Sequence, residues 1–211
     1  MTENLVSELI GAGAITQVHG KLETIPRCAI VIWAKHEPRH DNLPLIALAK
    51  LTSTTKVTIY VDDLAARILH ERSLEEQESI NSRYLEFFLS KNCNIRFSSE
   101  IYKQIYPYGL LPALVELSKK IPLSGFLRYL PEKKKNDLES LRPSELLNAL
   151  FELLLFEEVK KEFNTLVLRH FTQGILMLHR KISNSPLNAF VLPKLNSVEE
   201  IEEFLIFLEQ F

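Results

Sequence analysis

The chain is expected to be an α/β protein built on a doubly wound parallel sheet. Two observations carry that expectation. Short apolar, strand-like runs alternate with helical patterns along the sequence. The first pair of runs is also joined by a single short helix, a β-α-β arrangement that forces parallel pairing and a right-handed crossover.

Taken in order, residues 4–12 form a short apolar-polar segment ended by Gly11 and Gly13, with a loop or short helix to Pro26. Cys28-Ala29-Ile30-Val31-Ile32-Trp33 reads as a buried strand and residues 34–42 as a loop. A helix follows from about Leu43 to Leu51, with Leu45, Leu48 and Leu51 on one face. The β-branched run Val57-Thr58-Ile59-Tyr60-Val61 is the second strand, ending at Asp62-Asp63. Ser73-Leu74-Glu75-Glu76 is a capping box that opens a helix to about Lys91. Residues 94–99 are the third strand. Helical patterns cover 109–120, 123–130 and 143–162, broken by Pro122 and by the stretch from Pro131 to Arg142. Leu166-Val167-Leu168 is a short strand, 173–182 a helix, and Ser197-Val198-Glu199-Glu200 caps a last helix.

The chain has 211 residues, enough for one domain with a real core, and its composition is that of an ordinary globular protein. A formal net charge of -2 supplies no global attraction for a nucleic acid or an anionic membrane. Cys28 and Cys93 make no metal or redox motif at their spacing. There is no apolar run long enough for a membrane span and no signal-peptide pattern at the start, so a cytoplasmic chain is expected.

His36-Glu37-Pro38-Arg39-His40 spells the H-E-x-x-H pattern of zinc proteases. That pattern needs a continuous helix, so that both histidines share a face. Pro38 removes an amide donor and turns Glu37 away from helical angles. The pentapeptide is a strand-to-helix loop, which is where open α/β sheets bind ligands, and no metal is expected.

The segment from Glu37 to Pro44, Leu48-Ala49-Lys50-Leu51, and the run from Lys56 through Asp62-Asp63-Leu64-Ala65-Ala66 together resemble the start of a class I aminoacyl-tRNA synthetase core, with archaeal and eukaryotic tyrosyl-tRNA synthetases as the nearest subfamily. The span from Leu146 to Gln173 is similar in length to that family's unit running from a Y-x-x-x-Q-x-x-D helix to a G-G-x-D-Q loop. The resemblance covers about residues 26–191. It implies a Rossmann-like domain of the HUP type across 1–211, with a helical insertion at about 101–142 and a C-terminal helix at about 197–211. No anticodon-binding domain is implied.

Departures from the family are the more informative part. The loop after Trp33 has no glycine, where a backbone approaching phosphates needs one. Asp63 matches a family aspartate, but Ala65 replaces the histidine that follows. In the recognition helix the family's tyrosine, glutamine and aspartate fall on Phe151, Leu155 and Glu158. Arg169-His170-Phe171-Thr172-Gln173 replaces the glycine-bearing loop, and only Gln173 survives. Lys194 and Ser197 are thin relics of the second ATP signature. The resemblance therefore implies a non-catalytic, tyrosyl-tRNA synthetase-like binding or assembly module with no cofactor. A nucleotide-dependent transferase or ligase on the same scaffold, or an RNA-binding module, are the alternatives.

Remnant pocket candidates are Trp33, His40, Asp63, Glu158 and Gln173. His36 and His40 are otherwise exposed loop histidines, and an N-cap role explains one of Asp62 and Asp63 about as well. Arg169 and His170 mark either a new anion site or a surface loop. Arg128, Lys133, Lys134 and Lys135 are candidate contacts to tRNA or another RNA, although three lysines among Glu132, Asp137 and Glu139 also make an ordinary solvated turn. A homodimer or a heteromeric protein partner is expected from the family's interface segment, with Tyr106, Leu110, Leu114 and Leu117 as candidate contacts.

Overall fold

The structure is a computed structural model, and it describes residues 2–21, 26–121, 143–169 and 173–211. Its sheet has six strands: β1 (Gln17–His19), β2 (Cys28–Trp33), β3 (Thr58–Asp62), β4 (Asn94–Phe97), β5 (Thr165–Leu168) and β6 (Asn188–Val191). The spatial order is β1-β6-β5-β2-β3-β4, with every neighbouring pair parallel except β1 against β6. The expected parallel sheet is thus present, with an antiparallel edge strand in what reads as a loop in the sequence. That strand is only three residues long. Gly20, which follows it, has φ +96°, and the Asn188 side chain fills the space that a Cβ would take.

Nine helices surround the sheet among the described residues: α1 (Thr2–Gly11), α2 (Leu43–Thr52), α3 (Asp63–Leu69), α4 (Leu74–Ser90), α5 (Ser98–Ile105), α6 (Leu111–Lys119), α7 (Pro143–Val159), α8 (Gln173–Ile182) and α9 (Val198–Leu208). Both predicted caps form, with the Ser73 hydroxyl accepting from Glu76 N at 3.1 Å and the Ser197 hydroxyl from Glu200 N at 3.2 Å. Strand β4 is shorter than the sequence implies. It stops at Phe97 because Ser98 already opens α5, its hydroxyl turned onto Asp62 and Asp63. The helical pattern at 123–130 lies outside the described residues.

Alternate residues of each strand face opposite cores, the pattern of a sheet covered on both sides. Ile30, Ile59 and Phe190 pack with Leu9 of α1, Leu48 of α2, Tyr84 of α4 and Phe204 of α9. Ala29, Tyr60 and Leu166 pack with Tyr102 of α5, Leu117 of α6, Leu153 of α7 and Leu176 of α8. Cys28 and Cys93 are free, buried thiols, and burial pushes Cys28 up to about 11, so neither is poised as a nucleophile.

One feature of the register positions the site. Strand β2 pairs with β3 along its length, from Ala29 beside Thr58 to Trp33 beside Asp62. Against β5 it pairs only at Cys28 and Ala29. Beyond Ala29 these two strands carry no further ladder pairs, and their C-terminal ends leave room for a crevice. The chain also reverses direction between them, running from β2 to β3 and β4 on one side, then back to β5 and β6 on the other. Open α/β sheets place ligands at such a switch point.

Candidate functional site

The crevice is a cavity of about 240 Å³ at the C-terminal end of β2 and β5. Trp33 and Val31 line it from β2, and Val167 and Arg169 from β5 and the residue after it. This explains why Val31 and Trp33 are only partly buried within an otherwise buried strand. Lys35, Arg39 and Asn42 border it from the loop after β2, Leu45 from α2, Tyr84 from α4, and Asn148 and Glu152 from α7.

The loop between Trp33 and Asn42 contains the His-Glu-Pro-Arg-His string. As Pro38 dictates, it is not an α-helix: His36 and Glu37 form a bend, and a single 3₁₀ turn runs from His40 to Asn42. Tyr84 organises its first half. The Tyr84 hydroxyl accepts from Lys35 N at 2.9 Å and lies 3.2 Å from the Glu37 carbonyl. Arg72 donates to the Ala34 carbonyl at 2.9 Å and to Gln77 Oε1 at 3.1 Å. Arg169 fixes the second half, donating to Asp41 Oδ1 at 2.9 Å and to Asn42 Oδ1.

Beside this cavity, at the end of β3, lies a second polar cluster. Asp63 accepts four hydrogen bonds, from the Ser98 and Ser99 hydroxyls at 3.0 and 2.6 Å, Ser99 N at 2.9 Å and Asn81 Nδ2 at 2.7 Å. Asp62 is the N-cap of α3, accepting from Ala65 N at 3.4 Å and sharing with Asp63 the one proton of the Ser98 hydroxyl, 2.8 Å away. Its second oxygen, Oδ2, is buried with no partner among the described residues. Burial pushes Asp62 up to about 7 despite those bonds.

Glu152 is pushed higher, to about 8, first by burial and then by the negative charge of Asp62. Part of its surface is cavity wall, so it is not fully enclosed, yet it makes no hydrogen bond or ion pair among the described residues. At pH 7 it holds its proton.

The sequence candidates scatter. Trp33 lines the cavity. His40 is exposed on the 3₁₀ turn. Asp63 is committed to its four donors. Glu158 is buried away from the cavity and paired with Lys161 at 2.5 Å. Gln173 opens α8. His170, Phe171, Arg128, Lys133, Lys134 and Lys135 lie outside the described residues. Leu155 is wholly buried in the second core and does not fill the cavity. Two residues that sequence reasoning passed over, Asn148 and Glu152, do face it. They carry the same i, i+4 spacing as Phe151 and Leu155 but sit three residues earlier. The available signal was their polarity within Leu146-Leu147-Asn148-Ala149-Leu150-Phe151-Glu152-Leu153-Leu154.

The partner-contact candidates also shift. Leu114 and Leu117 turn inward against α7, whereas Ile105, Tyr108, Leu111 and Val115 are the exposed apolar residues of this region. No helix among the described residues is long and apolar enough to cross a membrane. None of the described residues form a group of three or more metal-ligand side chains.

A doubly wound sheet with a crevice at its switch point puts the chain in the class of open α/β folds. More narrowly, the fold is that of a class I aminoacyl-tRNA synthetase core. A C-terminally truncated mitochondrial tyrosyl-tRNA synthetase from Coccidioides posadasii superposes with a TM-score of 0.70 at 10% identity, over 92% of this chain and 67% of that one. Tyrosyl-tRNA synthetase from Archaeoglobus fulgidus, solved with L-tyrosine, gives 0.63 at 15% identity, over 95% and 64%. Tryptophanyl-tRNA synthetase from Aeropyrum pernix gives 0.57 at 13% identity, over 80% and 48%. The chain thus spans about half to two thirds of these proteins. No family model matches it, and no curated protein matches it in sequence.

Proposed function

We infer that this chain is a non-catalytic, synthetase-like module that binds a small molecule in its cavity and does not activate amino acids. The observation carrying this reading is the bridge from Arg169 to Asp41 and Asn42. Condensing two substrates requires their reacting atoms to approach to about 3–3.5 Å, so both must share one cleft. Here Arg169 stands between the 240 Å³ cavity and a separate hollow of about 70 Å³ beside Asp41, Pro44, Lys194 and Ile201. Its ion pair with Asp41, which lines only the smaller hollow, holds the side chain at the border the two spaces share. The larger space is already below the roughly 300–1,000 Å³ that drug-sized ligands occupy. The glycine-free loop bordering it adds a second obstacle to phosphates lying against the backbone.

Amino-acid-dependent exchange between ATP and pyrophosphate tests this directly. The expected rate equals the protein-free blank for every amino acid, and exchange with any of them overturns the reading. Saturable binding of ATP in calorimetry would instead favour a nucleotide-dependent transferase on this scaffold. The exposed strip of Ile105, Tyr108, Leu111 and Val115 supports an assembly role, for which sedimentation showing a species heavier than 24.4 kDa is the expected result.

A further inference from the structure

The cavity has two chemically distinct ends, and together they specify a ligand class. At its mouth stand Lys35, Arg39 and Arg169, and the Asp41 carboxylate lies 3.5 Å from Arg39 Nε and 2.9 Å from Arg169 Nη2. The Lys35 ammonium has no hydrogen bond or ion pair among the described residues. Its affinity for a proton is lowered by burial and then by Arg39, with Arg169 adding to the effect and Asp41 opposing it. Among the described residues these three cations border the cavity, and Asp41 is the acid bonded to two of them. Guanidinium forks and an ammonium are the donors that hold phosphate.

The inner end is different. Glu152 presents a carboxyl to the cavity with no protein partner among the described residues, and Asn148 lies one helical turn before it. Behind Glu152 stands Asp62, buried, with one oxygen unpartnered among the described residues. Two neighbouring buried carboxyls resist double ionisation. A group that donates a hydrogen bond into them relieves the unmet acceptor capacity. The apolar part of the lining comprises Trp33, Val31, Ile32, Leu45 and Val167. That stretch suits a short carbon skeleton, and the 240 Å³ volume leaves no room for a nucleotide beside it.

We propose that the cavity takes a small phosphate monoester whose carbon skeleton ends in a hydrogen-bond donor. The phosphate lies against Lys35, Arg39 and Arg169, and the donor lies against Glu152. The proposal rests on the reading of the cavity as a binding site closed off from nucleotide chemistry, and it names what the site binds.

Trp33 is the chain's single tryptophan and lines the cavity, so its fluorescence reports occupancy in the unmodified protein. Three probes separate the ends: inorganic phosphate, n-propyl phosphate and glycerol 3-phosphate. All three are expected to give saturable changes in Trp33 emission. Glycerol 3-phosphate should bind about tenfold tighter than n-propyl phosphate, the worth of one well-made hydrogen bond. Lys35→Gln should weaken all three about tenfold or more. Glu152→Ala should bring glycerol 3-phosphate down to the level of n-propyl phosphate and leave inorganic phosphate unchanged.

Absence of a saturable response to any of the three probes overturns the proposal, as does equal affinity for the two esters. An unaltered response in Lys35→Gln, or L-tyrosine saturating Trp33 below the concentration of glycerol 3-phosphate, also overturns it. The ester comparison needs no variant, so it decides the matter even if Glu152→Ala does not fold. Pyrophosphate exchange on the same preparation keeps the two readings apart. Exchange refutes the non-catalytic module whatever the esters do, while silence in both assays removes only the ligand.

Discussion

The C-terminal edge of the sheet has two halves that carry the same kind of residue to opposite ends. On the β3–β4 side, Asp63 is buried and accepts four hydrogen bonds. On the β2–β5 side, Glu152 faces a cavity with no partner among the described residues. Both are carboxyls near the strand ends, where α/β folds place ligand-binding groups. The contrast shows that position along the fold does not by itself mark a functional acid. Satisfaction does: a carboxylate saturated by the protein's own donors is architecture, and one left facing open space is available to a ligand.

The strongest way to break this contrast is to substitute the saturated member. Asp63→Ala leaves the Ser99 and Asn81 donors without their acceptor, while the Ser98 hydroxyl keeps Asp62 Oδ1 at 2.8 Å. A cost of about 3 kcal/mol or more is expected from orphaning several buried donors. The network also reaches the cavity, because Asn81 accepts from Gln77 at 2.9 Å and Gln77 accepts from Arg72, which holds the Ala34 carbonyl. Urea unfolding should show a lowered midpoint with an unchanged slope. A variant as stable as the parent would mean that Asp63 is not structural.

Next in size is Arg169→Ala. Its bonds to Asp41 and Asn42 are charge-assisted and partly buried, and their loss should cost about 2 kcal/mol. It also removes the side chain that lines both hollows. If that side chain is what excludes a nucleotide, calorimetry should show the variant binding ATP more tightly than the parent does. No gain in affinity would assign the exclusion to the glycine-free loop instead.

Much of the architecture was legible from sequence because it depends on local rules. Strand β2 and helix α2 announce themselves by period, and Ser73 and Ser197 cap as their spacing demands. What escaped was set by tertiary contact. Strand β1 exists because it pairs with β6, and nothing in Gln17-Val18-His19 alone requires a strand. Helices α3 and α5 start directly at Asp63 and Ser98, where side-chain bonds between them end two strands at once. For the site, chain order alone puts Trp33 and the loop at the strand end where the crevice lies. The face of α7 was not legible, because leucines occupy nearly every flank of that helix and its period carries almost no information. Only the placement of β2 and β5 reveals that Asn148 and Glu152, not Phe151 and Glu158, meet the crevice.

A pH series sharpens the contrast from the unsaturated side. Asp62 and Glu152 hold protons in the folded chain up to about 7 and about 8, whereas unfolded carboxyls release theirs near 4. Across that window the unfolded state binds fewer protons at these two positions, so their contribution to stability falls as pH rises from about 4 to about 8. Glu152→Gln removes one of the two groups. Its melting temperature should gain on the parent between pH 5 and pH 8, by about 2–4 °C for each 1 kcal/mol relieved in a chain of this size. Asp63→Ala is a loss at every pH in the same range. A constant difference between Glu152→Gln and the parent would show that Glu152 ionises freely, and the contrast between the two carboxyls would fail.

The smallest effect belongs to a pair outside both halves. Arg96 on β4 holds Glu162 through two bonds, at 2.5 and 2.9 Å, and its guanidinium lies 5.8 Å from the centre of the Tyr60 ring. The geometry is better than that of any contact made by Lys35, yet both side chains are about half exposed. Water competes for each partner, salt screens the attraction, and two long side chains lose freedom on pairing. Glu162→Gln should therefore cost no more than about 0.5 kcal/mol at low salt, and the cost should vanish near 1 M sodium chloride. A salt-independent loss of 2 kcal/mol would mean that surroundings weigh less than bond geometry here. The distinction drawn between Asp63 and Glu152 would then need a different physical basis from burial and satisfaction.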